Sequence, residues 1–255
     1  MSSRDGTKTP IVLLRGLIRG QGHWAWFPDE LRRQLPDHPL EFIDLPGNGD
    51  AHQLKSPLTL AENLNYLREK TAQLIRPFHI LSISLGGMVA YEWARSHPQD
   101  MASLALINSS FRGLSPFTDR LIPATYPRLL KLLLNPSPEL VEAGILETVV
   151  NDPDLRSRAY NVILPYSLAH PVSRVNFARQ LWSASRFKAL ERPSVPTLLM
   201  ASRQDRLVSC RCSEAAASAW GATLKLHPMA GHDLPIDDSP WVAKTYRDFL
   251  EREFI

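Results

Sequence analysis

Apolar positions along this chain follow two rhythms. Short, nearly continuous apolar runs recur at residues 11–15, 40–45, 79–84, 104–108, 197–201 and 223–227. Between them, apolar residues return every three to four positions, which predicts helices over 26–34, 60–75, 85–96, 212–220 and 240–251. Strands that are apolar throughout, joined by helical crossovers, belong to a parallel sheet covered on both faces. Right-handed crossovers make that sheet doubly wound. The expected fold class is therefore α/β, with a mostly parallel sheet of about six strands. Ten residues precede the first run, which leaves little room for an additional leading hairpin.

The alternation stops after the fourth run. From 111 to 193 the pattern is helical (126–134, 138–150, 155–167, 174–185), with frequent prolines and no strand-like segment. This predicts a helical insertion, so that residues 1–110 and 194–255 form the core and 111–193 a helical lid. The leucine-rich stretch at 129–134 is far shorter than the roughly 20 residues that span a bilayer and reads as a core-facing or pocket-facing helix.

The third run leads into the most informative segment, F-H-I-L-S-I-S-L-G-G-M at 78–88. A strand reaches Ser84, two glycines follow Leu85, and a helical pattern begins. A serine at a strand–turn–helix junction is the nucleophile elbow, G-x-S-x-G in its usual form. Strand and helix backbones nearly touch there, so the positions two before and two after the serine must be small. They are Ser82 and Gly86, which meet the pattern in a relaxed form.

A serine hydroxyl needs a base, and the base needs an acid to hold its tautomer. In a parallel sheet both belong just beyond the carboxyl ends of later strands. Asp205 follows the fifth run, in S-R-Q-D-R-L-V, and His232 follows the sixth, in A-G-H-D-L-P. An aspartate in a turn is ordinarily a cap, and a histidine beside glycine is ordinarily solvated. Their joint placement, in the order Ser84, Asp205, His232, carries the catalytic reading. The backbone amides of Leu85 and Leu17 are the expected oxyanion donors, one at a helix N-terminus and one in the Gly-rich loop L-L-R-G-L-I-R-G-Q-G. Gly16 and Trp24 are assigned to substrate binding. His23 and His52 are expected near the site entrance, and Asp233, Asp237 and Asp238 are expected to cap the last helix.

Composition narrows the alternatives. The 255 residues are 44% hydrophobic and 22% charged, with a net charge of +3, too small to argue for nucleic acid. No apolar run is long enough to span a bilayer, and the first residues lack the apolar centre of a secretion signal. A cytoplasmic protein without membrane or nucleic-acid partners is the expectation. Cys210 and Cys212 lack a second pair to complete a metal site, and no phosphate-binding glycine motif is present. No metal or cofactor is expected.

With these residues in place, the chain resembles the α/β-hydrolase superfamily over nearly its whole length. The resemblance rests on L-L-R-G-L, D-L-P-G-N-G-D after the second run, S-I-S-L-G-G-M, S-R-Q-D-R-L-V and A-G-H-D-L-P. Compact members with a helical lid look most similar, among them esterases that cleave the methyl ester of pimeloyl-carrier protein. The resemblance implies a serine hydrolase that cleaves carboxylic esters without metal or cofactor, on a small-molecule ester that is free or held on an acyl carrier protein. The same triad also serves carbon–carbon bond hydrolases and lyases, and the fold also serves non-catalytic ligand binding. Two positions depart from the family pattern: Arg15 stands where a histidine usually precedes Gly16, and Ala51 where a serine usually follows the glycine loop. Residues 111–190 carry ten Lys/Arg against six Asp/Glu, a balance suited to an acidic partner or a carboxylate-bearing substrate, although solvated helix faces produce the same balance.

Overall fold

The computed structural model describes residues 8–254. Six parallel strands, β1 (Ile11–Leu14), β2 (Leu40–Ile43), β3 (Phe78–Ile83), β4 (Met101–Ile107), β5 (Thr197–Ser202) and β6 (Thr223–His227), form one sheet in the order β2-β1-β3-β4-β5-β6. Strand order reverses direction at β1, so β1 and β3 flank the switch point, the place where doubly wound sheets open a crevice at their carboxyl ends.

Side chains alternate across each strand, and the two faces build two cores. Val12, Leu14, Ile80, Leu104, Leu106 and Leu199 pack under α2 (Leu60–Lys70), α3 (Leu85–Ser96) and α9 (Arg211–Trp220). Ile11, Leu13, Leu81, Ile107, Leu198 and Met200 pack under α1 (Phe27–Gln34) and α11 (Ser239–Phe254). The central strands are buried on both sides, which is why they are apolar without interruption, whereas the edge strands β2 and β6 are only partly covered.

Between β4 and β5 the chain is helical: α4 (Phe117–Arg120), α5 (Tyr126–Leu134), α6 (Pro138–Val149), α7 (Pro153–Ala169) and α8 (Arg174–Arg186). Ser137, Asp152 and Ser173 cap α6, α7 and α8, each accepting a bond from an early amide, and Pro138 and Pro153 occupy first helical positions, where their missing N–H is no loss. Leu146, Val149, Ala159 and Ile163 close a small core between α6 and α7 against Ile236 of α10 (Leu234–Asp237). Among the described residues no helix is long and apolar enough to cross a membrane.

Most boundaries fall within a residue or two of those expected, and the short helices α4 and α10 are additions. The clear difference is α2, expected to reach residue 75 but ending at Lys70. Thr71 Oγ1 donates to the Leu67 carbonyl at 2.9 Å, and the following residues turn outward, leaving Ile75 73% exposed.

Candidate active site

β3 delivers Ser84 into a turn with φ 56° and ψ −121°, a region that side-chain-bearing residues enter only when their surroundings hold them there. Those surroundings are specific. The Ser84 amide donates to the Ile107 carbonyl at 2.9 Å, and Ser109 Oγ donates to the Ser84 carbonyl at 3.1 Å. A Cβ on Gly86 would lie 2.5 Å from the Arg15 oxygen and 2.7 Å from that of Leu14, and one on Gly87 would collide with Ser109 Oγ. Ser82 fits because its hydroxyl turns to the Ala105 carbonyl at 3.0 Å.

Asp205 lies just beyond β5. Its Oδ1 accepts the amides of Leu207 and Val208 at 2.8 and 2.9 Å, and its Oδ2 lies 2.7 Å from His232 Nδ1, with both side chains buried. A proton on Nδ1 donated to this carboxylate leaves Nε2 free to accept another. The loop carrying His232 is held from two sides. Asn108, at φ 45°, donates Nδ2 to the His232 carbonyl at 2.8 Å while its Oδ1 accepts the Ser202 amide at 2.9 Å. Asp237 accepts the amides of Gly231 (2.6 Å), Asn151 and Asp152, and burial raises its pKa.

The loop after β1 passes directly over the serine. A Cβ on Gly16 would sit 3.0 Å from Ser84 Cβ and 3.5 Å from Oγ. Asn48 Nδ2 donates to the carbonyls of Gly16 (3.3 Å) and Arg19 (3.1 Å). Gln180 of α8 accepts the Ile18 amide at 2.9 Å and donates to Asn48 Oδ1 at 2.7 Å. Neither the Leu17 amide nor the Leu85 amide has an acceptor among the described residues. Leu17 and Leu85 line the same cavity as Ser84 and His232.

Trp24 is placed differently from its assignment. It is buried against Phe27, with ring centroids 5.4 Å apart, and lies outside the cavity wall. Above it sits the Arg15 guanidinium, 4.7 Å from the ring, paired with Asp233 through contacts of 3.0 and 2.5 Å. Asp233 is therefore an ion-pair partner, Asp237 a loop anchor, and only Asp238 caps α11, accepting the Trp241 amide at 2.9 Å. His23 is also interior rather than at an entrance. It contacts Ser167 Oγ at 3.0 Å, and burial, followed by the Arg19 and Arg15 cations, holds its pKa well below the ordinary value.

The cavity, about 410 Å³, lies between the sheet's carboxyl end and the insertion. Its wall is mainly apolar, with Met88, Leu129, Ile145 and Leu181 among its residues, and three arginines, Arg15, Arg19 and Arg120, also reach it. Arg19 is paired with Glu142 of α6 through two 2.8 Å contacts.

Sequence reasoning assigned no role to Asn48, Asn108 or Gln180, and took Asp233 for a helix cap. Asn48 stands inside the quoted glycine loop, which is a signal; the others make contacts over long sequence separations that no local pattern encodes.

A doubly wound sheet with a serine elbow at its switch point and an Asp–His pair beyond later strands defines a class of hydrolytic enzymes. The chain belongs to the alpha/beta hydrolase family, which it matches over residues 11–245. It is 29% identical to RutD, provisionally assigned as a carbamate hydrolase, of Pseudomonas savastanoi pv. phaseolicola, over 95% of this chain and 94% of the relative. It is also 29% identical to the pimeloyl-[acyl-carrier protein] methyl ester esterase of Neisseria meningitidis serogroup B, over 92% of each chain. Among solved structures, a thermophilic esterase from Thermogutta terrifontis superposes with a TM-score of 0.74 at 21% identity, covering 98% of this chain and 92% of that one.

Proposed function

We propose that this protein cleaves carboxylic esters through a Ser84–His232–Asp205 triad. The observation that carries the reading is the 2.7 Å His232–Asp205 bond in a cavity whose wall also holds Ser84 at a strained elbow. Ser84 Oγ attacks the ester carbonyl as His232 Nε2 takes its proton, and Asp205 steadies the imidazolium. The oxyanion that forms is received by the free amides of Leu17 and Leu85, the second at the positive end of α3. His232 then protonates the departing alcohol, and water, activated by the same imidazole, releases the acid from the acyl-enzyme. Residues 111–193 act as the lid that roofs the cavity, and its apolar wall suits an acyl chain.

A series of p-nitrophenyl esters from acetyl to dodecanoyl tests this. The wild type turns over part of the series, and Ser84→Ala loses at least about a thousandfold in kcat. Equal rates in the two proteins overturn the triad. A finer reading, an ester held on an acyl carrier protein, draws support from the meningococcal relative and the basic balance of residues 111–190. It requires the carrier-linked ester to outpace the free ester, with the advantage fading as salt rises; equal, salt-insensitive rates remove it.

A further inference from the structure

Three arginines reach the cavity wall, and their partners are unequal. Arg15 has Asp233 and Arg19 has Glu142, each at salt-bridge distance. Arg120 has no carboxylate within that distance among the described residues, although it is 8% exposed. Its Nη2 donates to the Ala184 carbonyl at 2.7 Å and its Nη1 reaches that of Ser185 at 3.5 Å, both in the last turn of α8. Its Nε is buried with no partner. Burial lowers its pKa, but a guanidinium keeps its proton throughout the physiological range. A buried cation without a counter-charge is costly, and the two carbonyls supply only partial negative charge. Arg120 lines the same cavity as Ser84 and His232. An anionic ligand in that space would supply the missing counter-charge.

We propose that Arg120 is an anion subsite of this cavity and selects esters carrying a carboxylate, on either the acyl or the alcohol portion. This rests on the ester-hydrolase reading above and deepens it by naming the substrate class. Half-esters of dicarboxylic acids bring the charge on the acyl side, and acylated hydroxy acids bring it on the alcohol side. In either case, Arg120 fixes one end of the substrate while the Leu17 and Leu85 amides receive the carbonyl oxygen.

The test compares matched pairs that differ only in carboxylate against carboxamide. Monomethyl adipate is paired with its amide, and O-butyryl glycolate with O-butyryl glycolamide. The wild type favours the acid at least tenfold in kcat/KM in one pair, mainly through KM, and the pair concerned tells which side bears the charge. Arg120→Gln brings that ratio to about one, and Arg120→Lys retains part of it. A wild-type ratio of one or less in both pairs overturns the proposal, as does an unchanged ratio in Arg120→Gln. If Arg120→Gln fails to fold because α8 loses its cap, the wild-type ratios and the Arg120→Lys ratio decide by the same criteria. Turnover of p-nitrophenyl esters without an acid preference defeats the subsite and leaves the esterase reading standing. If no ester is turned over, calorimetry with adipate on Ser84→Ala decides: binding that Arg120→Gln abolishes supports the subsite, and no binding overturns it.

Discussion

Arg15 and Asp233 lie 218 positions apart in the chain and meet beside His232, with the arginine stacked on Trp24. Each flanks a residue of the proposed machinery, Gly16 on one side and His232 on the other, so the pair ties the oxyanion loop to the base loop. Asp233→Asn leaves a buried guanidinium without its counter-charge and is expected to cost about 3–5 kcal/mol, read from urea unfolding. Arg15→Met combined with Asp233→Leu is expected to cost less than the sum of the single changes, because no orphaned charge remains. The sequence flagged Arg15, since the family pattern places a histidine there, but it offered no route to Asp233. A salt bridge across the whole fold leaves no periodic trace, and an aspartate just before a helix looks like a cap. Trp24 misled for a related reason: an aromatic near a catalytic loop suits a pocket wall, yet stacking under Arg15 and packing on Phe27 claim it for the interior.

At the scale of elements, the elbow and the loop above it are rigid for separate reasons. The α3 start is fixed by contact: Gly86→Ala drives a methyl group into the carbonyls of Leu14 and Arg15 and is expected to cost about 1–3 kcal/mol or more, measured by thermal unfolding. The β1 loop is fixed by a hydrogen bond from Asn48 and by one that the Ile18 amide donates to Gln180 of α8. Gln180→Ala strands the buried Asn48 Oδ1, at about 1–3 kcal/mol, and leaves the part-buried Ile18 amide without its acceptor. The Leu17 amide loses its positioning as well, so kcat is expected to fall about tenfold or more with a smaller change in KM. The elements themselves were readable because local chemistry marks their ends. Proline and a capping side chain open α6 and α7, and the apolar runs end where the sheet does. Helix α2 escaped this reading because its apolar spacing continues beyond Lys70, whereas the backbone bonds tighten there to three-residue turns, Ala72 to Glu69 and Leu74 to Thr71.

For the molecule as a whole, the interior buries histidines as well as hydrocarbon. His79, on β3, bonds Ser103 Oγ at 2.8 Å, and burial lowers its pKa from 6.5 to about 4. The folded protein keeps this imidazole neutral where the unfolded chain would protonate it. Its contribution is therefore complete above about pH 6.5 and is lost as pH falls toward 4, by about 3 kcal/mol in all. His23 acts in the same direction. Melting temperature is expected to fall over that range, and a flat profile from pH 7 to 4.5 would contradict it. The parallel sheet of six strands with helices on both faces was legible from the alternation of strands and helices. The attachments of the insertion to the core, Glu142 to Arg19 and Gln180 to Ile18, were not.

The insertion divides the proposed machinery in time as well as in space. Ser84 and the loop above it precede residues 111–193 in the chain; Asp205 and His232 follow them. As the polypeptide leaves the ribosome, the proposed nucleophile emerges first, its proposed cover second and its proposed base last. On the proposed triad, a growing chain carries an inert serine until β5 and β6 have joined the sheet, and the hydroxyl becomes reactive only inside a molecule whose proposed roof has already been synthesised.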